Sequence, residues 1–115
     1  MNALKEMINY ATGFNNLKND ADMFKLGERI WNIERAFNIR EGFSRKDDTF
    51  PERFLKEPME DGPAKGQIFE IEPLLDEYYA ARGWGIENGF PTRATLESLG
   101  LNSVADELEK LNKLA

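Results

Sequence analysis

Apolar positions spaced for a helix dominate the first third of the chain. Leu4, Met7, Ile8 and Ala11 follow the i, i+3, i+4, i+7 pattern of a helix with one apolar face, with Asn2 as its expected cap. Gly13 stands where a left-handed C-terminal residue belongs. A second, longer helix is expected from Asn19 as N-cap, with Asp20 and Asp22 at the positive end of its dipole. Met23, Leu26, Ile30, Ile33 and Phe37 then recur at alternating spacings of three and four, and Phe24 and Trp31 widen the stripe. Arg40 and Gly42 suit its C-terminal end.

The remainder reads as shorter pieces. Thr49 and Glu52 have capping-box spacing, which predicts a short helix to about Lys56, ending before Pro58. Residues 59–66 are turn chemistry, and Gln67 to Ile71 alternates enough for a brief extended stretch. Pro73 opens a helix carrying Leu74, Leu75, Tyr78 and Tyr79, which ends at Gly83 with Trp84 folding back. Asn88-Gly89 marks a tight turn, and Thr92 caps a short helix that Gly100 ends. Asn102 or Ser103 caps the last helix, with Val104, Leu108 and Leu111 facing inward. The pattern predicts one all-α domain over residues 1–115, a multihelical orthogonal bundle of about four to six helices with a long ordered central loop.

One residue interrupts the strongest stripe. Glu34 falls close to Ile30 and Met23 on the helix surface, and a carboxylate buried there needs neutralising or pairing. Arg45 or Arg53, folding back from the following loop, is the expected partner. The loop itself, Arg45-Lys46-Asp47-Asp48, neutralises its own charge, and its two adjacent carboxylates alone are a poor cation site.

Composition removes several function classes. The 115 residues suffice for a single modest core, and a net charge of -6 disfavours a nucleic-acid-binding face. No apolar run approaches a membrane span and the N-terminus lacks a signal-peptide core, so a cytoplasmic chain is expected. With neither cysteine nor histidine, the chain has no thiolate nucleophile, no Ser-His-Asp arrangement and no thiolate set for a cluster. The tyrosines read as packing groups.

The wording of four stretches carries a family resemblance: GERIWNIERAFNIREGFSRKDDTFPERF (27–54), EPMEDGPAKG (57–66), LLDEYYAARGW (74–84) and GFPTRATLESLGL (89–101). In this order and spacing they resemble the C-terminal part of the tungsten-containing aldehyde ferredoxin oxidoreductases, from about Ala3 to Leu108. The resemblance implies an all-helical piece of an enzyme that oxidises aldehydes to carboxylic acids and passes electrons to ferredoxin. It implies a tungsten or molybdenum bis-pterin cofactor and one [4Fe-4S] cluster in that enzyme, with every ligand upstream and none in this chain. Thr95 departs from the family, where many relatives carry an acidic residue.

On this reading the chain is not catalytic alone. It helps enclose the cofactor and substrate channel, with upstream domains of the same enzyme as its partners. Trp31, Glu34, Arg40, Arg45, Lys46, Asp47 and Asp48 are the candidate domain or partner interface. Residues 25–57 hold eight basic against seven acidic residues, the rest seven against fourteen, so an acidic ferredoxin would favour the first region. A homodimer through exposed apolar surface is a further expectation. The alternatives from other classes are a free-standing helical interaction module and a carboxylate-only hydrolase centred on Glu34.

Overall fold

A computed structural model describes residues 2–115, and the chain is all-α. Its helices are α1 (Asn2–Thr12), α2 (Asp20–Arg40), α3 (Glu52–Lys56), α4 (Ile71–Arg82), α5 (Arg93–Ser98) and α6 (Asn102–Lys110), with one 3-10 turn over Arg45–Asp47. Among the described residues there is no strand, only an isolated bridge between Trp84 and Pro91. The body is flat, 51 × 40 × 21 Å.

The start of α2 follows from local chemistry. The Asn19 side chain accepts from the Asp22 N–H at 2.9 Å, and the Asp22 carboxylate accepts in return from Asn19 at 3.1 Å and Lys18 at 2.8 Å. Those backbone donors hold the Asp22 carboxyl below the usual carboxylate range. At the other end, the Lys113 ammonium donates to the Ile39 carbonyl at 2.7 Å and the Arg40 carbonyl at 3.1 Å. It thereby satisfies the Arg40 carbonyl, which the helix end leaves open, and adds a second donor to the Ile39 carbonyl beside the Gly42 N–H.

The core lies where the second half of α2 meets α5 and α6. Ala36, Ile39, Leu96, Leu99, Leu101, Ala105 and Leu108 are buried together, with Phe90, Val104 and Leu114 packed against them. Each of the larger side chains contributes roughly 1.5–3 kcal/mol by leaving water. The Arg29 guanidinium donates to the Leu99 carbonyl and ties α2 to the α5–α6 turn. Thr92 caps α5 through the Thr95 N–H at 3.1 Å, and the Thr95 hydroxyl donates to the Gly83 carbonyl at 2.9 Å. An acidic residue at position 95 would serve only the cap, whereas threonine also joins α5 to the end of α4.

Several expectations fail in instructive ways. The main stripe of α2 is not its core face: the buried positions are Asn32, Ala36 and Ile39. Asn2 is already helical rather than a cap. Thr49 makes no capping box, because α3 starts after Pro51 without a side-chain cap, whereas Asp47 caps the preceding turn by accepting from Ser44 N–H at 2.9 Å. Gln67 to Glu70 stay outside any helix, but α4 takes in Ile71 and places Pro73 in its first turn rather than at its start, and a missing N–H costs nothing there. The last helix has Leu101 as N-cap, and Leu111 lies past its end, 48% exposed.

Candidate functional site

Helix α2 has three distinct faces, set out by a turn of roughly 100° per residue. Asn32, Ala36 and Ile39 enter the core. More than a right angle away, Ile30, Ile33 and Phe37 stand 51%, 45% and 55% exposed, with Met23 and Leu26 half-buried on the same line. The third face carries Trp31, Glu34, Arg35 and Asn38, which line a cleft of about 380 Å³ with Leu75, Tyr78 and Tyr79 of α4, Trp84 and Asp48. Glu34 lies at the border between the open stripe and the cleft.

The cleft floor is an ion pair with an aromatic frame. Arg35 donates two bonds to the Asp48 carboxylate, at 2.8 and 2.6 Å, and a third from Nε to the Gly89 carbonyl at 3.0 Å. Its guanidinium lies 4.8 Å from the Trp84 ring centroid and 5.6 Å from that of Tyr79. The Tyr79 hydroxyl donates to Asp48 as well. Burial works to raise the Asp48 carboxyl, but the Arg35 and Tyr79 hydrogen bonds outweigh it and hold the group below its ordinary value. Tyr79 is pushed up to about 12, by burial first and then by the neighbouring carboxylate. Gly89 is left-handed, and a side chain there would run into Arg35 and Tyr79.

Two further layers fix the cleft walls. The Trp84 indole N–H donates to the buried Asn32 side chain at 2.9 Å, and Asn32 in turn donates to the Glu28 carbonyl at 2.9 Å. That network explains a polar residue with no exposed surface inside the core. Towards the surface, the Trp31 indole donates to the Tyr78 hydroxyl at 2.6 Å. Arg82 lies over both rings, 5.7 and 5.1 Å from their centroids, and pairs with Glu28.

The seven residues singled out by sequence are not one surface. Trp31 and Glu34 share the cleft, while Arg40 is exposed, pairs with Glu41 at 3.1 Å and stacks on Phe37. Arg45 does fold back, but onto α4: it donates to Asp76 at 2.7 Å and the Ile86 carbonyl at 2.7 Å, and pairs with Glu72. Asp48 belongs to Arg35 and Asp47 to the Ser44 turn. Lys46 stays exposed. Arg53 pairs with Glu57 along its own helix, so neither expected arginine reaches Glu34, which is exposed rather than buried. Sequence reasoning missed Arg35, Asn32 and Tyr79; the doubly charged loop was the one visible signal that something upstream had to receive it.

Asp48, the one other carboxylate in the cleft, is committed to Arg35, which leaves Glu34 without a second acid–base group for hydrolysis. The chain has no cysteine for a cluster, and among the described residues no group of carboxylates could hold a metal ion. Its donor set does not fit either an iron–sulfur cluster or a pterin-bound metal. No helix among the described residues is long and apolar enough to cross a membrane.

The fold and sequence match known proteins. Residues 1–101 match the family model for aldehyde ferredoxin oxidoreductase, domains 2 and 3. The chain is 44% identical over 98 residues to the tungsten-containing aldehyde ferredoxin oxidoreductase of Thermococcus kodakarensis and 43% identical over 98 residues to that of Pyrococcus furiosus. In each case the match takes in 84% of this chain and 16% of the relative, so the chain spans about a sixth of the curated relatives' length. Among solved structures, the active site complex BamBC of benzoyl coenzyme A reductase superposes with a TM-score of 0.64 at 34% identity, over 83% of this chain and 13% of that one. The chain belongs to the aldehyde ferredoxin oxidoreductase family, as a helical portion of its domains 2 and 3.

Proposed function

We propose that this chain is the C-terminal packing domain of a tungsten or molybdenum pterin aldehyde ferredoxin oxidoreductase, inactive alone, which helps enclose the cofactor and substrate channel. The open stripe of α2 carries this reading: Ile30, Ile33 and Phe37, half or so exposed on a helix whose core face lies elsewhere. A contiguous apolar line of that kind marks a surface built to be covered. Those three side chains are already about half buried, so covering the rest contributes roughly half of the 1.5–3 kcal/mol that full burial of each would give. The covering surface is the cofactor-bearing part of the enzyme. That part supplies the pterin-bound metal and the [4Fe-4S] cluster, oxidises aldehyde to carboxylate and delivers the electrons to ferredoxin. Exposed Lys46, with Arg40, offers an acidic ferredoxin a secondary contact; Arg45, tied to α4, does not.

The experiment is to purify the native species that contains this chain and measure its mass and metal content. Iron together with tungsten or molybdenum, in a species several times 13.2 kDa with aldehyde-dependent electron transfer, is the expected result. A metal-free 13.2 kDa species would instead favour a free-standing interaction module.

A further inference from the structure

Glu34 belongs to neither the core face nor the open stripe of α2. It stands beside Ile30 and Ile33 at the edge of the surface proposed above to be covered, so on assembly its carboxylate loses water. A carboxylate moved out of water needs a cation or several donors. Among the described residues none supplies the cation, because every arginine is already engaged. Arg29 holds the Leu99 carbonyl, Arg35 holds Asp48, Arg40 holds Glu41 and Arg45 holds Glu72 and Asp76. Arg53 holds Glu57, Arg82 holds Glu28 and Arg93 holds Glu97, Asp106 and Glu109. Among the described residues no lysine pairs with Glu34 either; the lysine ion pair present is Lys56 with Glu52.

We propose that the cleft between α2 and α4 receives an arginine side chain from the cofactor-bearing part of the enzyme, with Glu34 accepting its guanidinium. This rests on the reading of the α2 stripe as a domain interface and names the polar anchor beside it. The cleft has the right chemistry: aromatic walls from Trp31, Tyr78 and Trp84, and the Asn38 side chain as a second acceptor next to Glu34. A planar fork that stacks on aromatic rings while bonding a carboxylate suits these walls better than a compact, strongly hydrated ammonium. The chain uses the same combination twice within the neighbourhood. Arg82 sits over Trp31 and Tyr78 with Glu28, and Arg35 sits over Trp84 with Asp48. Between them Glu34 offers a further carboxylate beside the same aromatic side chains, and the cleft's own cation, Arg35, is committed to Asp48.

The test compares Glu34→Gln in the assembled enzyme and in the chain alone by thermal unfolding. The expected result is a midpoint lowered by several degrees in the enzyme, where a partner's guanidinium is left unpaired, and unchanged in the chain. An unchanged or raised midpoint in the enzyme, or equal losses in both, overturns the proposal. Ile33→Asp in the same enzyme separates the two readings: loss of assembly with a neutral Glu34→Gln keeps the interface and removes the arginine. For the ligand class, argininamide is titrated into the chain with tryptophan fluorescence as the signal, since both tryptophans line the cleft. Saturable quenching by argininamide, weakened at least about tenfold by Glu34→Gln and absent with lysinamide, supports a guanidinium; an equal or absent response overturns that assignment.

Discussion

Arg35 and Asp48 meet through two parallel hydrogen bonds, 2.8 and 2.6 Å long, with side chains 10% and 27% exposed. One residue sits mid-helix in α2 and the other closes the 3-10 turn that follows, so this pair decides how the central loop lies on the helix. Removing one member leaves the other charged and underpaired, which costs more than the pair itself contributes. Asp48→Ala is therefore expected to lose about 3 kcal/mol, at the low end for a buried pair because Asp48 keeps some water. Urea denaturation of the two chains measures it.

Acid should destabilise through the same carboxylate. Its folded value lies below the ordinary 3.8, so its stabilisation is complete above the unfolded value and is lost as pH falls through the folded one. The unfolding midpoint of the native chain should drop below pH 4 more steeply than that of Asp48→Asn. Parallel curves would exclude Asp48 as the source.

Alkali acts through Tyr79 with the opposite sign. A phenol raised from 10.0 to about 12 binds its proton more tightly when folded, so the contribution is present below pH 10 and is lost between 10 and 12. Tyr79→Phe should remove that pH dependence while losing about 1 kcal/mol at neutral pH with the hydrogen bond to Asp48. Thermal unfolding at stepped pH reads both effects.

Gly89 tests the backbone side of the floor. Its left-handed conformation and its closeness to Arg35 and Tyr79 mean that Gly89→Ala adds strain and a clash together. A loss of more than about 1 kcal/mol is expected, against roughly 0.5 kcal/mol or less for an alteration at exposed Lys46.

Much of this architecture was legible in the residues, and the failures have a common cause. Local signals survived: the Asn19 cap, the left-handed Gly83, the Asn88-Gly89 turn and the Thr92 cap need only neighbouring residues. Periodicity showed that Met23, Leu26, Ile30, Ile33 and Phe37 share a face, yet it carries no information on what that face meets. The actual core face of α2 contains Asn32 and small Ala36, which no hydropathy pattern would select. Its polar member is intelligible only through Trp84, 52 residues away in sequence. For Glu34 the argument for an arginine partner assumed burial, and in the chain the residue is exposed, while Arg45 had nearer acids on α4. Family wording, by contrast, identified the relatives because it depends on no assumption about burial.

The most direct test of the account is Ile33→Asp, a charge placed in the middle of the open stripe. Ile33 is already 45% exposed in the chain, so the substitution should leave its helical content and unfolding midpoint nearly unchanged. In the assembled enzyme the predicted result is loss of co-elution between this domain and the iron- and tungsten- or molybdenum-bearing part, or exposure of α2 to rapid hydrogen exchange where the two are covalently joined. Unaltered co-elution and unaltered protection of α2 would contradict the account.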